Sequence, residues 1–222
     1  MIKAVLFDLD GTLLNRDASL LKFVEGQYDR FSNWLTEIPR EKYIARFIEL
    51  DCRGYVWKDK VYQQLLEEFN VTDLSWETLL QDYITEFHHS CIPFSNLRRT
   101  LECLKNHSIQ LGMITNGFGQ FQMDNIRALG IQGYFHTILI SEWEGIKKPN
   151  PDIFHRALLQ LQVLPNEVMF VGDHPINDMK GAKDAGMWTI WRRDIQWKKV
   201  DTDYIIEDLN EIPLIIQQLN KS

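Results

Sequence analysis

Short apolar runs alternate with helix-spaced apolar stripes along most of the chain. The first run, residues 2–9, has hardly a polar gap before residue 8, which is typical of a strand covered on both faces in a parallel sheet. Five further runs have strand character, at residues 111–114, 137–140, 168–171, 187–191 and 204–206. Apolar steps of three and four residues predict helices between the later runs, near residues 97–104, 121–129, 151–161, 178–185 and 212–219. The pattern predicts an α/β fold with a parallel sheet flanked by helices.

Residues 15 to 92 interrupt this alternation. They contain no strand-like run, and their apolar stripes predict four helices, within residues 20–35, 43–48, 61–69 and 79–87. Pro93 marks the return to the α/β pattern. We therefore predict two domains: an α/β core formed by residues 1–14 and 93–222, and a helical module formed by residues 15–92.

Composition indicates an ordinary globular protein. The 222 residues are 45% hydrophobic and 25% charged, which suits a sizeable core, and the net charge of −7 disfavours nucleic acid as a partner. Cysteine occurs three times, an odd number without metal-type spacing, so we expect reduced, buried thiols in a cytoplasmic protein. We expect no signal peptide and no membrane partner, because no apolar stretch is long enough to span a bilayer. Monomer and homodimer both remain open.

Carboxylates follow two of the predicted strands, at the ends where an open parallel sheet forms its ligand crevice. Asp8 and Asp10 end the first run, and Asp173 and Asp178 follow the run at 168–171. Two residues apart on a strand, Asp8 and Asp10 point the same way, and such close like charges repel unless a cation lies between them. Mg²⁺ fits this requirement, since it takes oxygen ligands from one or two carboxylates and keeps positions for water and a phosphate. For Asp178 the competing interpretation is a helix cap, and we expect His174 to shape its loop rather than to bind metal.

Two other segments are candidates for phosphate binding. The strand at 111–114 leads into Thr115-Asn116-Gly117, where a hydroxyl and backbone amides near a helix start suit a phosphate oxygen. Lys148 lies just before a helix start marked by Asn150 and Pro151, where a cation and a helix dipole can act on one anion. Each segment alone is a weak indication, since Thr-Asn-Gly is a common turn and an isolated lysine is common on protein surfaces.

The helical module carries its positive charge unevenly. Six Lys and Arg residues lie between residues 40 and 60, whereas residues 61–97 contain none. Most of the six suit solvated helix faces. Arg53, beside Gly54 in a predicted loop, is our first candidate for contact with an anionic substrate.

Taken together, these segments resemble the motifs of the haloacid dehalogenase superfamily, most of whose members are magnesium-dependent phosphatases. The matching residues, in motif order, are Asp8-Leu9-Asp10-Gly11-Thr12, then Thr115, then Lys148-Pro149, then Gly172-Asp173 through Asn177-Asp178. The resemblance covers the whole chain and implies a doubly wound, Rossmann-like core with an inserted helical-bundle cap. More loosely, the chain is similar to the branch that contains nucleotidases and N-acylneuraminate phosphatases.

The resemblance also implies a reaction, the Mg²⁺-dependent hydrolysis of a small phosphate monoester through an aspartyl-phosphate. Asp8 would be the nucleophile, and Asp10 would be the general acid and base. The substrate would be a nucleotide, or a sugar or organic acid phosphate, and thus a small phosphorylated metabolite.

The same resemblance assigns the metal and phosphate ligands. Asp8, the backbone carbonyl of Asp10, and Asp173 would hold Mg²⁺, with Asp178 in support through water or Lys148. Thr115 and Lys148 would neutralise the transferring phosphoryl oxygens.

Three alternatives stay open at this point. A phosphomutase shares the first half-reaction and passes the phosphoryl group to a sugar hydroxyl. A 2-haloacid dehalogenase is disfavoured by Asp10, because halide needs no proton in order to leave. A binding protein without activity is disfavoured because the four motifs are intact.

Overall fold

The computed structural model describes residues 1–221, and the chain divides into two compact units. One unit is formed by Met1–Asn15 together with the chain from Pro93 onward, and the other by Arg16–Ile92. No helix among the described residues is both long enough and apolar enough to cross a bilayer.

The first unit is built on a sheet of six parallel strands in the order β3-β2-β1-β4-β5-β6. The strands are β1 Ala4–Phe7, β2 Gln110–Thr115, β3 Thr137–Ile140, β4 Val168–Gly172, β5 Trp188–Arg192 and β6 Tyr204–Ile206. After β1 the chain builds outward through β2 and β3 and then crosses back to place β4 on the other side of β1. This order confirms the predicted doubly wound parallel sheet, and it makes the gap between β1 and β4 the switch point where such sheets bind ligands.

The second unit is helical. Its helices are α1 Arg16–Arg30, α2 Ser32–Leu35, α3 Arg40–Asp51, α4 Lys58–Glu68 and α5 Trp76–Glu86. We predicted one continuous stripe from Leu20 to Leu35, and this is wrong at its end, because the backbone of Phe31 (φ −102°, ψ 15°) separates α1 from the short α2. Aromatic rings fill the interior of the unit, where Tyr62 donates a hydrogen bond to Gln27 at 2.8 Å.

Helices cover the sheet of the first unit. They are α6 Leu97–Asn106, α7 Gly119–Ala128, α8 Ser141–Glu144, α9 Pro151–Leu161, α10 Gly181–Asp184 and α11 Ile212–Lys221, and a π-helical segment, Pro175–Lys180, precedes α10. All four residues of β1 are buried, as expected for a central strand with apolar cover on both faces. On one face, Phe154 of α9 packs edge-on against Phe170 of β4, with ring centroids 5.2 Å apart. Burial of such a side chain stabilises the fold by about 1.5–3 kcal/mol.

The chain leaves and re-enters the first unit at a single place. Leu14 and Pro93 form an antiparallel bridge, and the amide of Phe94 donates to the carbonyl of Leu13 at 3.0 Å. The two ends of the helical unit are therefore joined on the core side by backbone pairing.

We predict that Gly112→Ala destabilises the core. A Cβ at this position of β2 would lie 2.5 Å from Leu6 Cδ2 and 2.8 Å from Thr137 Cγ2, so these two buried side chains would have to move within a packed interior. Overpacking of this kind costs about 1–3 kcal/mol, measurable as a lower urea midpoint of unfolding. Gly133→Ala is the matched control, because nothing lies within 4 Å of its added Cβ. Equal midpoints for the two variants would contradict the tight packing inferred at Gly112.

Candidate active site

The carboxyl ends of β1 and β4 place two aspartates side by side. Asp8 follows β1 directly, and its amide donates to the carbonyl of Val171 at 2.9 Å, which extends the pairing of the two strands by one residue. Asp173 follows Gly172, the last residue of β4. Because the strands are parallel neighbours, both carboxylates emerge at the switch point of the sheet.

Three carboxylates meet at this point. Asp8, Asp173 and Asp178 each offer an oxygen atom within 4.8 Å of the others, and Asp178 is only 1% exposed. One buried ammonium opposes them, since Lys148 Nζ lies 2.6 Å from Asp8 Oδ1 and 2.7 Å from Asp178 Oδ1. A single positive charge cannot balance three carboxylates, and the all-oxygen donor set is one that a hard divalent cation prefers. The residues present therefore fit a divalent metal ion.

Burial and the excess negative charge together shift the pKa values of these groups. Burial, reinforced by the charge of Asp178 and only partly offset by Lys148, raises the pKa of Asp8 to about 7. Burial and the charge of Asp8 likewise raise the pKa of Asp173. For Lys148, burial alone would lower the pKa, but the charges of Asp178 and Asp8 outweigh it and raise the pKa instead. Without a divalent cation, Asp8 and Asp173 therefore hold their protons to a higher pH than a solvated aspartate does.

Two glycines make room for the acids. At Gly11, with φ +81°, an added Cβ would overlap the carboxylate of Asp173, and at Gly172 it would lie 2.5 Å from the Cβ and Cγ of Asp178. Both positions therefore require glycine for close approach, and Gly11 requires it for its backbone conformation as well.

The loop after β4 is shaped by His174, as the sequence led us to expect. Its Nδ1 accepts hydrogen bonds from the amides of Ile176 and Asn177 at 3.1 and 3.0 Å, at the start of the π-helical segment. Its own amide donates to Asp178 Oδ2 at 2.9 Å. Burial lowers the pKa of His174, which favours the neutral ring that these bonds require. Asp178 therefore accepts from the amide of His174 through Oδ2 and from the ammonium of Lys148 through Oδ1.

The last residue of β2, Thr115, and the residues after it lie at the same edge of the sheet. Thr115 is buried and accepts a hydrogen bond at 2.8 Å from Gln122 Nε2. The side chain of Asn116 bonds both backbone groups of Lys148, donating to its carbonyl at 3.0 Å and accepting from its amide at 2.9 Å. The amide of Gly117 donates to Ser141 Oγ at 2.9 Å. The sequence predicts that Asn116 and Gly117 bind phosphate, but the side chain of Asn116 and the amide of Gly117 form hydrogen bonds within the protein. The two bonds from Asn116 fix the backbone of Lys148.

Asp10 stands apart from the three clustered carboxylates. Its Oδ2 accepts a hydrogen bond from Gln122 Nε2 at 2.6 Å. Its charge contributes to the raised pKa of Asp8, so the two side chains act on each other without sharing the cluster.

Two residues at the site were missed by the sequence analysis. Gln122 contacts Asp10 and Thr115, and Arg192 of β5 donates to the carbonyl of Gly11 at 2.9 Å. The guanidinium of Arg192 also lies over the ring of Phe94, 3.3 Å from the centroid. For Gln122 there was one signal, a polar residue on a helix directly after the second motif, whereas nothing in the sequence singles out Arg192.

Arg53 belongs to the helical unit. Its guanidinium lies 3.5 Å from a carboxylate oxygen of Asp17, and its side chain is 39% exposed. Three successive residues, Cys52, Arg53 and Gly54, have φ values of 47°, 58° and 89°. A left-handed backbone is costly for the two residues that are not glycine, by about 1–3 kcal/mol each, and such strain often marks functional segments.

Comparison with known proteins decides the family. A family model described as haloacid dehalogenase-like hydrolase matches residues 5–192, which span every segment described at the sheet edge. The chain belongs to the haloacid dehalogenase-like hydrolase family. This confirms the resemblance drawn from the motifs and makes the protein a hydrolase.

Relatives of this hydrolase include proteins named as phosphatases. Glyceraldehyde 3-phosphate phosphatase of Pyrococcus furiosus is 29% identical over an alignment 248 positions long, gaps included, which covers 100% of this chain and 95% of the relative. Among solved structures, a haloacid dehalogenase-like phosphatase from Thermococcus onnurineus superposes with a TM-score of 0.68 at 28% identity, covering 97% of this chain and 98% of that one. A 2-haloacid dehalogenase from Pseudomonas syringae superposes with a TM-score of 0.66, also at 28% identity, covering 99% and 100%.

We predict that Lys148→Met destabilises this hydrolase much more at pH 8 than at pH 5 when chelator is present. A carboxyl with a raised pKa binds more protons in the folded than in the unfolded state, so its contribution falls as pH rises through the window between its two pKa values. For Asp8 that window runs from 3.8 to about 7, and loss of the ammonium extends it upward. At pH 5 Asp8 holds its proton with or without Lys148, so the variant loses little there. At pH 8, above the Asp8 pKa of about 7, the wild-type carboxylate is charged and opposed by Lys148, whereas the variant must either keep the proton or bury an unopposed charge. We expect a loss of about 3–5 kcal/mol at pH 8, measured by urea unfolding.

Lys147→Met is the control for this variant, since it removes an exposed lysine one residue earlier. This variant should have nearly the same free energy of unfolding as the wild-type protein at both pH values. Equal losses at pH 5 and pH 8 for Lys148→Met would show that Lys148 does not balance the carboxylates.

Proposed function

We propose that this hydrolase is a Mg²⁺-dependent phosphatase that acts on a small phosphate monoester through an aspartyl-phosphate. The observation that carries the proposal is the meeting of three carboxylates and one buried lysine at the switch point of the sheet, with the carboxylate of Asp10 nearby. In this proposal Asp8, Asp173 and the backbone carbonyl of Asp10 hold the metal ion, and Asp178 supports it. The bound ion would reduce the repulsion between a carboxylate and a phosphate dianion.

The protein's own groups perform the remaining steps. A carboxylate oxygen of Asp8 attacks phosphorus, the bond from phosphorus to the ester oxygen breaks, and protonated Asp10 gives its proton to the leaving alkoxide. Asp10 then takes a proton from a water molecule, whose oxygen attacks phosphorus and releases inorganic phosphate and Asp8. Lys148, anchored by Asn116, offsets negative charge throughout, and the hydroxyl of Thr115 is suited to bond a phosphoryl oxygen.

Asp10 supports phosphatase over dehalogenase chemistry. An alkoxide is a poor leaving group and needs a proton, whereas halide does not. The similarity to a dehalogenase structure is therefore a similarity of fold and family, and release of halide from a 2-haloacid would overturn the proposal.

The names of the relatives support a proposed substrate class. The Pyrococcus furiosus relative is named for glyceraldehyde 3-phosphate, a small phosphorylated metabolite, and its alignment covers the whole of this chain. We propose a substrate of this class. A panel of phosphorylated sugars, organic acids and nucleotides, assayed both for inorganic phosphate and for isomerised sugar phosphate, separates phosphatase from phosphomutase activity.

We predict that Asp8→Asn abolishes release of phosphate from p-nitrophenyl phosphate, by at least about a thousandfold in kcat, because an amide is a poor nucleophile. Chelator should inactivate the wild-type protein, and added Mg²⁺ should restore it. The variant should still fold and bind inorganic phosphate. Asp201→Asn is the isosteric control, because it alters a side chain that is 90% exposed. Turnover by a pure sample of Asp8→Asn would remove Asp8 from the role of nucleophile.

We further propose that Arg53 contacts the leaving group of the substrate, a role supported by its charge, its exposure and its strained backbone. Arg53→Ala should raise KM for the best ester of the panel by about tenfold or more, the effect of losing a hydrogen bond to a charged group. KM for p-nitrophenyl phosphate should change far less. Lys60→Ala is the control. It removes a charged side chain that is 67% exposed, and it should leave KM for both esters unchanged. Equal effects of Arg53→Ala on both esters would contradict this role.

A further inference from the structure

We propose that Gln122 is a positioning residue that orients both Asp10 and Thr115 for phosphoryl transfer. One buried side-chain amide, on the first turn of α7, contacts the group proposed to move the proton and the hydroxyl proposed to bind the phosphoryl oxygen. This inference deepens the proposed function and rests on it.

The geometry of the amide is closely defined. Gln122 is 2% exposed, and its Nε2 lies 2.6 Å from Asp10 Oδ2, 2.8 Å from Thr115 Oγ1 and 3.3 Å from the carbonyl of Asn116. A primary amide has two N–H donors, so the two shorter contacts use both of them. The sequence separates Gln122 from Asp10 by 112 residues, and the sheet brings them together.

A second buried amide fixes which end of Gln122 faces Asp10. Asn125, which is fully buried on the same helix, donates from Nδ2 to Gln122 Oε1 at 3.3 Å. If the amide of Gln122 were turned over, its oxygen would face the carbonyl of Asn116, acceptor against acceptor, and its nitrogen would face Nδ2 of Asn125, donor against donor. The nitrogen therefore points at Asp10.

This orientation has a consequence for the proton on Asp10. An amide nitrogen only donates, so Oδ2 of Asp10 must accept, and a transferable proton is carried on the other oxygen, Oδ1. The same contact fixes the rotation of the carboxyl group. Gln122 thereby aims the proton that the leaving alkoxide needs.

Thr115 is directed in the same way. Its Oγ1 accepts from Gln122, so its own hydrogen points away from Gln122 and remains available to donate to a phosphoryl oxygen. One amide thus directs two donors toward the reacting group, which matters because a misplacement of about 1 Å can cost a hundredfold in rate.

The test compares esters that differ in their need for a proton. p-Nitrophenolate leaves readily without one, whereas phenolate leaves poorly, and kcat/KM reports only steps up to the first irreversible transfer to Asp8. We expect Gln122→Leu to lower kcat/KM for phenyl phosphate at least about tenfold more than for p-nitrophenyl phosphate, because help from a general acid is worth about 10²–10⁴-fold where it is needed. A merely structural role would lower both by the same factor.

Two further variants complete the experiment. Gln122→Met keeps the length of the side chain and loses the donor without adding a charge, so it should show the same dependence on the leaving group even if Gln122→Leu folds poorly. Gln120→Leu is the control, two residues before Gln122 on α7. It removes an exposed glutamine that donates to Asp124 at 2.8 Å, and it should leave kcat/KM for both esters unchanged.

The outcomes separate this inference from the proposed function. If the wild-type protein with Mg²⁺ hydrolyses neither ester, the proposed function fails. If the wild-type protein hydrolyses both, and folded Gln122 variants lose the same factor on each, the positioning role of Gln122 is overturned and the phosphatase proposal stands.

Discussion

Electrostatic repulsion among the three carboxylates of Asp8, Asp173 and Asp178 is the constraint on which the rest of the site depends. Their oxygens lie within 4.8 Å of one another in a largely buried place, where repulsion is strong, and one lysine offsets only part of it. The fold must hold the acids together against this force. It does so with the paired central strands β1 and β4, whose residues are all buried.

The neighbouring residues of the core serve this arrangement. Gly11 and Gly172 leave the space that the carboxylates occupy, and Asn116 clamps the backbone of Lys148 so that its ammonium reaches two of the acids. Gln122 extends the network to Asp10. A site assembled this way has its charges in place before a ligand arrives, so little reorganisation is needed during the reaction.

Much of the fold and part of the site could be predicted from the sequence. Asp8 and Asp173 stood out because each ends an apolar run, and the alternation of runs and stripes gave the parallel sheet. Other features depend on contacts between distant positions, which periodicity does not reveal. From the sequence, Asn116 is typical of a turn, and only the structure shows that it bonds to Lys148, 32 positions later. Gln122 is likewise typical of a helix, and only the structure shows its contact with Asp10. The break at Phe31 was missed because the apolar spacing continues across it.

The bridge between Leu14 and Pro93 determines how readily this fold accepts an inserted unit. Because the chain is paired with itself where residues 16–92 begin and end, the sheet unit is closed without them, and a short turn would suffice to join the two sides. Chain termini that lie close together are what allows one domain to be inserted into another. A helical unit held in this way can be exchanged, lengthened or shortened by recombination while the strands that carry the acids keep their register. Such an exchange would replace the proposed substrate contact at Arg53 and leave Asp8, Asp173 and Asp178 in place.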